Sequence, residues 1–174
     1  KPNRFEAAKS VALEFIDSRP NDNIGLTLFA GESFVQCPLT NSHDILKSML
    51  KANDVNSISK RMDNGTAIGM GISTSVSRLV DSKAKSKVVI LLTDGANNAG
   101  EVTPLDAART AKEKGVRVYT IAAATDIKEV VQQTPFGVYR TPIDQVDEET
   151  LKEIADITGG KYYRATDKAS LKNI

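Results

Sequence analysis

Strand-like apolar runs alternate along this chain with segments in which apolar residues recur at helical spacing. The short runs typical of strands lie near 24–30, 33–38, 87–93, 116–123 and 161–164. Apolar residues repeat every three or four positions, as on one face of a helix, near 4–18, 42–52, 67–79, 104–114 and 148–157. This alternation predicts an α/β fold in which helices flank a doubly wound, mostly parallel sheet.

Capping signals set the ends of two predicted helices. Thr103 followed by Pro104 is a typical helix start, and Gly115 is a typical end. Asp147 is placed to cap the helix that begins at residue 148, and Gly159 follows its last turn. We therefore expect these two helices to begin and end at these residues.

Glycines occur at unusual places around the predicted 67–79 helix. Gly65 precedes it, and Gly69 and Gly71 lie within its first turns. Glycine is a poor helix former, so its presence there needs another reason. We expect another part of the chain to approach this backbone closely.

The segment near 124–146 shows no clear period and contains Pro135, Gly137 and Pro142. Long loops without secondary structure are often mobile or functional. Phe136 and Tyr139 are candidate partner contacts within it. We nevertheless expect the segment to be irregular and to pack as a flap on its own domain.

Length and composition place limits on the fold and on the partners. A chain of 174 residues suits one domain, 1–174, and the start at Lys1 without an initiator Met suggests a fragment of a larger protein. A formal net charge of +1 gives no reason to expect nucleic acid or an anionic membrane as partner. With one cysteine, Cys37, and one histidine, His43, a zinc site is not expected. Cys37 is interpreted as a small hydrophobic strand residue, and His43 as a plain solvated one.

Catalytic motifs of α/β enzymes are not evident in the sequence. The glycine run Gly65-Thr-Ala-Ile-Gly69-Met-Gly71 lacks the spacing and the preceding strand of a dinucleotide site. A Gly-Lys-Ser/Thr phosphate loop and a Gly-x-Ser-x-Gly nucleophile motif do not occur. The residues therefore favour a protein that is not an enzyme.

Two oxygen donors remain as candidate chemistry. Asp94 follows the apolar 88–92 run, and the carboxyl ends of strands carry the ligand sites of open α/β sheets. Thr66 lies in the glycine-containing loop before a helix. Carboxylate and hydroxyl oxygens suit Mg²⁺ better than soft metals. Taken alone, however, such a Thr is more often an N-cap, and an Asp-Gly pair is more often a turn.

Other polar residues lie on the same expected face. Asn97 and Asn98 follow Asp94, and Glu32 and Ser33 follow the 24–30 strand. Asparagine-rich loops are commonly simple turn formers. These four residues are therefore weaker candidates for a binding surface.

Three segments together resemble the von Willebrand factor type A (VWA) domain, in the right order and at suitable distances. They are Ile24-Gly-Leu-Thr-Leu-Phe-Ala-Gly31, Asn64-Gly-Thr-Ala-Ile-Gly69 and Val88-Val-Ile-Leu-Leu-Thr-Asp-Gly-Ala-Asn-Asn98. Within that superfamily the chain resembles the bacterial Bat (Bacteroides aerotolerance) proteins. The motifs that carry this closer match are Lys1–Arg4, Phe29–Phe34, Thr93–Gly100, Gln133–Gly137 and Asp156–Tyr162.

The resemblance implies a Rossmann-like VWA fold with a metal-ion-dependent adhesion site, in which Thr66 and Asp94 match two of the ligand positions. It implies Mg²⁺ as the ion and another protein as the partner, whose acidic residue completes the coordination; other Bat-like or VWA proteins are possible partners. It also implies a parent protein anchored in the inner membrane, with this domain in the periplasm. The fragment itself is expected to be soluble, with no contact to membrane or nucleic acid.

One part of the family pattern, the Asp-x-Ser-x-Ser triplet on a first, central strand, does not occur in this sequence. The resemblance places it just upstream of Lys1, between the 24–30 and 88–92 strands of the sheet. We therefore expect a foreign strand in the gap, re-pairing of the two halves, or a strand outside the given sequence. We also expect no properly coordinated metal in this piece alone.

Two other functions remain open at this stage. One is a scaffolding VWA domain whose metal site is not functional. The other is a phosphoryl-transfer or hydrolytic α/β enzyme that uses Asp94 as nucleophile. The enzyme would need further acidic residues and a lysine at neighbouring strand ends.

Overall fold

The computed structural model describes residues 4–54, 65–123, 129–142 and 145–165. The sequence also suggests a polar loop near 53–65 and a final helical turn after Asp167, and most of the loop and all of the turn lie outside the described residues. The first elements are α1 (Arg4–Ser18), β1 (Ile24–Phe29), β2 (Ser33–Thr40) and α2 (His43–Ala52). The elements that follow are α3 (Ile68–Leu79), β3 (Val88–Thr93), α4 (Pro104–Glu113), β4 (Arg117–Ala122), β5 (Glu129–Thr134), β6 (Gly137–Pro142), α5 (Glu148–Thr158) and β7 (Tyr162–Arg164).

Strands β1 and β2 form an antiparallel hairpin against which α1 and α2 pack. Its register runs from Ile24 opposite Thr40 to Phe29 opposite Ser33, with shifts near Leu26. A small core lies beneath the helices, and its buried residues are Ile16, Cys37, Leu46 and Leu50. The interpretation of Cys37 as a small buried strand residue is confirmed.

The main core surrounds the parallel strands. Strand β4 lies between β3 and β7 and is parallel to both. The buried residues of this core are Ile68, Ile72, Val76, Val89, Leu91, Ala107, Ala108, Ala111, Val116, Val118, Ala122, Leu151 and Ile154. Because helices α3, α4 and α5 contribute to it, the predicted α/β class is confirmed.

The capping residues behave as the sequence predicted. The Thr103 hydroxyl accepts the main-chain N–H of Asp106 at 3.2 Å, with Pro104 in the first turn of α4. The Asp147 carboxylate accepts the N–H of Thr150 at 3.1 Å at the start of α5. Gly159 ends that helix in the left-handed conformation, with φ of 76°.

Close approach explains the glycines of α3. A Cβ atom on Gly69 would collide with the main-chain carbonyl of Val102, which precedes α4. A Cβ atom on Gly71 would come within 2.9 Å of the Phe29 ring at the end of β1. The expectation that other backbone or side chains crowd this helix is therefore confirmed.

The strands described do not form one continuous sheet. Among them, β1 pairs with β2 alone, and β3 pairs with β4 alone. Within the described residues, the β1–β2 hairpin therefore does not pair with the parallel strands. This excludes one of the three alternatives for the missing central strand, namely that the two halves of the sheet pair with each other.

The segment near 124–146 differs from its predicted form. Strands β5 and β6 make an antiparallel hairpin closed by Pro135 and Phe136, with Thr134 opposite Gly137. Every residue of both strands is exposed, and the Phe136 side chain is 92% exposed. The expectation of an irregular flap packed on its own domain was wrong, because polar and apolar residues share both faces and neither face is suited to burial.

His43 is also less solvated than predicted. It is half-buried at the start of α2, and its Nε2–H donates to the main-chain carbonyl of Asp22 at 2.7 Å. This bond joins α2 to the turn before β1. The residue therefore has a structural contact that the sequence did not indicate.

Candidate functional site

Three loops meet where β1 and β3 end. The loop of residues 65–67 lies against the end of β1, where the N–H of Ala67 donates to the carbonyl of Ala30 at 2.6 Å. On its other side this loop touches the segment after β3. Gly65 has φ of 135°, and a Cβ atom there would lie 2.8 Å from the Cβ of Ala99. The chain thus reaches the strand ends only because glycine occupies position 65.

The Thr66 hydroxyl lies beside the turn that carries Asp94. Its oxygen is 3.1 Å from the position that a Cβ atom would take on Gly95. Asp94 is exposed and Thr66 is half-buried. The structure therefore brings the two sequence-predicted residues to the same edge of the molecule, although their role as metal ligands stays a prediction.

Asn97 and Asn98 hold the Thr66 loop to the segment after β3. The Oδ1 atom of Asn98 accepts the N–H of Thr66 at 2.7 Å, and the N–H of Asn98 donates to the carbonyl of Thr66 at 3.0 Å. The Oδ1 atom of Asn97 accepts the N–H of Ile68 at 2.9 Å. From the sequence alone, both residues are weak candidates for a binding surface. Their partners lie some thirty positions away, which local turn patterns cannot reveal.

Ser33 has a structural contact rather than an open position. Its hydroxyl donates to the carbonyl of Met70 at 3.1 Å and lies 2.6 Å from the Thr74 hydroxyl. Both partners belong to α3, so Ser33 ties the β1–β2 hairpin to that helix. The neighbouring Glu32 is exposed.

The donor chemistry at this edge fits a hard divalent cation in part. Thr66 offers a hydroxyl and Asp94 offers a carboxylate, and the absence of a side chain on Gly95 leaves space beside the Thr66 hydroxyl. In the part of the chain that the structure describes, no three His, Cys, Asp or Glu residues come together as a metal-binding group. The described residues therefore offer two hard oxygen donors at this edge, Thr66 and Asp94.

The strand ends next to Asp94 bear on the enzymatic alternative. Strand β1 runs into Ala30 and Gly31, and β4 runs into Ala123, whose N–H donates to the carbonyl of Thr93 at 2.9 Å. Ala30, Gly31 and Ala123 themselves carry no carboxylate or lysine, but the exposed Glu32 follows Gly31 directly. The enzymatic alternative therefore stays a prediction.

A separate cluster of hydrogen-bonded charged groups lies between α5 and β7. Arg164 Nε donates to Glu148 Oε1 at 2.7 Å, and the Tyr162 hydroxyl donates to the same oxygen at 2.6 Å. Arg164 first, and Tyr162 second, lower the pKa of Glu148. Burial, followed by the bond to Glu148, raises the pKa of Tyr162 to about 12. This cluster fastens the edge strand to the helix.

The sequence profile of the von Willebrand factor type A domain matches residues 1–174. The chain belongs to this family. A VWA domain of this kind is an α/β unit, in agreement with the helices and parallel strands described above.

Similar proteins include bacterial relatives and solved structures. An uncharacterized protein of Borreliella burgdorferi is 31% identical over 173 residues, which cover 98% of this chain and 50% of that protein. BatB from Bacteroides thetaiotaomicron is 26% identical, with a TM-score of 0.77 over 99% of this chain and 87% of that one. An aerotolerance-related membrane protein from Bacteroides fragilis is 24% identical, with a TM-score of 0.81 over 99% of this chain and 86% of that one. The likeness to BatB confirms the resemblance of this VWA domain to Bat proteins.

A more distant solved structure shares the fold. Proximal thread matrix protein 1 from the mussel byssus, solved with a zinc-occupied MIDAS motif, is 20% identical. Its TM-score is 0.71, over 99% of this chain and 40% of that one. At this identity the likeness shows a shared VWA fold.

Two further facts concern the whole protein. The chain spans about half the length of the curated relatives it matches. None of the helices in the described parts of this VWA domain has the length and apolar character needed to cross a membrane.

Proposed function

We propose that this VWA domain is a metal-dependent protein-interaction module, and that Thr66 and Asp94 contribute to its metal site. The observation that carries the proposal is the position of the Thr66 hydroxyl against Gly95, next to Asp94. The ion would be Mg²⁺, because both donors are hard oxygens and Mg²⁺ accepts an incomplete set of protein ligands together with water.

The partner would supply an acidic side chain. A site with few protein ligands leaves coordination positions open, and a carboxylate is a strong ligand for a hard cation. Asp94 is exposed, so a partner could approach this edge. The domain would thus bind another protein through a shared ion, with no covalent bond made or broken.

The remaining ligands would come from the Asp-x-Ser-x-Ser strand that the family resemblance implies. Strands β1 and β3, which would flank it, each pair on one side only among the described strands. Unpaired strand edges readily accept a further strand. We therefore expect this piece to bind Mg²⁺ weakly, and the full-length protein to bind it properly.

The parent would be a Bat-like aerotolerance or stress protein, resembling BatA in particular, anchored in the inner membrane with this domain in the periplasm. The Bacteroides fragilis neighbour is described as an aerotolerance-related membrane protein, which supports the anchoring. Other Bat-like or VWA proteins are the partners that we expect.

Calorimetric titration of Mg²⁺ tests the metal site. We expect the full-length protein to bind more tightly than the 174-residue chain, and Thr66→Ala and Asp94→Asn to weaken that binding. Asp81→Asn and Thr110→Ala, at exposed positions elsewhere, serve as matched controls. Equal affinity in the two lengths, or no effect of Thr66→Ala and Asp94→Asn, would contradict the proposal.

Partner binding tests the function itself. Capture from envelope extracts by the full-length protein should be lost with a chelator, restored by Mg²⁺, and reduced by Asp94→Asn. Capture that persists in the presence of the chelator and also in the Asp94→Asn variant would favour a scaffolding domain with a non-functional metal site. A stable aspartyl-phosphate on Asp94 after incubation with a small phosphodonor would favour the enzyme instead.

A further inference from the structure

Positive charge is concentrated where the parallel strands β3 and β4 begin. The segments 78–87 and 112–117, which lead into these two strands, carry seven basic residues and two acidic ones. The whole chain has a formal net charge of only +1, so acidic residues exceed basic ones in the rest of it. The seven basic residues form what is called the basic edge below: Arg78, Lys83, Lys85, Lys87, Lys112, Lys114 and Arg117.

The two segments of the basic edge lie side by side. Strands β3 and β4 are parallel, with Val88 opposite Arg117, so both begin at the same edge of the sheet. The N–H of Arg117 donates to the carbonyl of Lys87 at 3.1 Å, and its Nη2 donates to Ser86 Oγ at 3.4 Å. The basic edge is therefore one surface, separated from Asp94 by the length of β3, about 20 Å.

The side chains of the basic edge are not neutralised by acidic neighbours. Six of the seven are exposed, and Lys87 is half-buried. Among the described residues, no carboxylate forms an ion pair with any of them. Arg78 and Lys112 lie in the last turns of α3 and α4, where positive charge stabilises a helix. Lys83 and Lys85 lie beyond α3, so this effect does not explain them.

The composition of the basic edge fits a lipid surface better than a protein. Protein interfaces have apolar and aromatic residues at their centre. In the described parts of the chain, none of the large exposed apolar residues lies in the two segments. Five of the seven basic residues are lysines, which are compact point charges suited to a diffuse layer of phosphate groups. Clusters of about four to eight Lys or Arg residues are typical of surfaces that bind anionic lipid.

We propose that the basic edge docks this domain on an anionic phospholipid surface, with the carboxyl ends of β3 and β4 directed away from the lipid. The total charge gave no reason to expect contact with a membrane, but the fold distributes that charge unevenly. Asp94 would then face away from the membrane, open to a protein partner. The inference goes beyond the proposed function and needs no metal; only the choice of lipid over nucleic acid rests on the proposed membrane anchor of the parent.

Lysine acetylation followed by mass spectrometry tests the docking in the full-length protein together with lipid bilayers, with a chelator present so that no metal takes part. A bilayer in which about a third of the lipid is phosphatidylglycerol is compared with one of phosphatidylcholine alone. The anionic bilayer should remove most of the reactivity of Lys83, Lys85 and Lys114, while the exposed Lys51 and Lys152 keep theirs. Equal reactivity on the two bilayers, or protection of Lys51 and Lys152 instead, would overturn the proposal.

Neutralisation of the basic edge tests whether its charge holds the domain on the lipid. An edge variant and a control variant with the same change in net charge are Lys83→Gln/Lys85→Gln/Lys114→Gln and Lys51→Gln/Arg140→Gln/Lys152→Gln. Each lysine contributes about fivefold to affinity for an anionic membrane, so the edge variant should bind about a hundredfold more weakly. All six side chains are exposed, so both variants should keep the urea midpoint of the unmodified protein. Protection of Lys112 that persists in the edge variant, or that is lost in the control variant, would overturn the role of this edge.

Salt and other polyanions decide the kind of partner. Raising the salt concentration from about 0.05 M to about 0.5 M should abolish the protection on the anionic bilayer, because exposed charges are screened. Protection that persists at the higher concentration would overturn electrostatic docking. Protection by duplex DNA or by polyglutamate, but not by the anionic bilayer, would overturn lipid as the partner. Absence of Mg²⁺ binding would overturn the proposed function and leave the docking result unaffected.

Discussion

The hydroxyl oxygen of Thr66 lies 3.1 Å from the position that a Cβ atom would occupy on Gly95. This relationship joins the loop before α3 to the turn after β3, and it places a neutral oxygen donor beside the residue that follows Asp94. Changes at Gly95 therefore alter the candidate site while leaving the buried core untouched.

Gly95→Ala should weaken Mg²⁺ binding by the full-length protein. Gly95 does not have a positive φ, so alanine fits the backbone, but its methyl group would press on the Thr66 hydroxyl. We expect about a tenfold loss of affinity by calorimetry, with less than about 1 kcal/mol change in the free energy of unfolding. Affinity equal to that of the unmodified protein would show that the space beside Thr66 is not part of a metal site.

Gly69→Ala should destabilise the fold. The added methyl group would collide with the carbonyl of Val102, and crowding in a packed contact costs about 1–3 kcal/mol. Urea denaturation measures this loss. Ser77→Ala, at an exposed position of the same helix, should change stability by less than about 0.5 kcal/mol. Equal stability of Gly69→Ala and Ser77→Ala would mean that α3 and the loop before α4 can separate without cost.

Phe136→Ser should leave the free energy of unfolding within about 0.5 kcal/mol of the unmodified value, because the ring is 92% exposed. Ile154→Ala, in the main core, should cost about 2–5 kcal/mol in the same denaturation experiment. A loss at Phe136 as large as that at Ile154 would revive the packed flap that the sequence suggested.

Glu148→Gln should lower stability at neutral pH but not in acid. The pKa of Glu148 is lowered in the fold, so its contribution is present above its ordinary value of 4.5 and is lost as pH falls through the lowered pKa. The loss should be small because Arg164 is about half exposed. Glu149→Gln, a more exposed neighbour, is the control. A stability difference that persists in acid would contradict this account.

Spectrophotometric titration of the Tyr162 phenol tests the same cluster of Glu148, Tyr162 and Arg164. Burial is the first cause of its raised pKa, and the bond to Glu148 is the second. Glu148→Gln should therefore move the pKa from about 12 only part of the way back toward 10. A full return to the ordinary value would show that the carboxylate, rather than burial, controls the phenol.

Local signals predicted much of this fold. Thr103 with Pro104, and Asp147 with Gly159, mark helix ends because their chemistry acts within a few residues. The apolar run of β3 is also a local signal, because a short continuous run of apolar residues indicates a buried strand. Gly69 predicted a close approach by another part of the chain, because glycine disfavours a helix and its presence there needs another reason.

Two features of the structure could not be predicted from local sequence patterns: the β5–β6 hairpin and the contacts between the loops of the candidate site. Each face of the β5–β6 hairpin carries both polar and apolar side chains, so the hairpin lacks the alternation that marks a half-buried strand. Two short β-prone runs separated by Pro135 and Phe136 were the available signal. The bonds of Asn97 and Asn98 join loops far apart in sequence, and no local pattern predicts them.

Paramagnetic Mn²⁺, added in place of Mg²⁺ to the full-length protein and followed by amide NMR, tests most directly whether Thr66 and Asp94 surround one cation. The account predicts that the amide signals of Thr66 and Gly95 broaden first, while those of Val131 and Val138 in the exposed hairpin stay sharp. Asp94→Asn should shift this broadening to higher Mn²⁺ concentration. Broadening that spares Thr66 and Gly95, or that begins elsewhere in the domain, would contradict it.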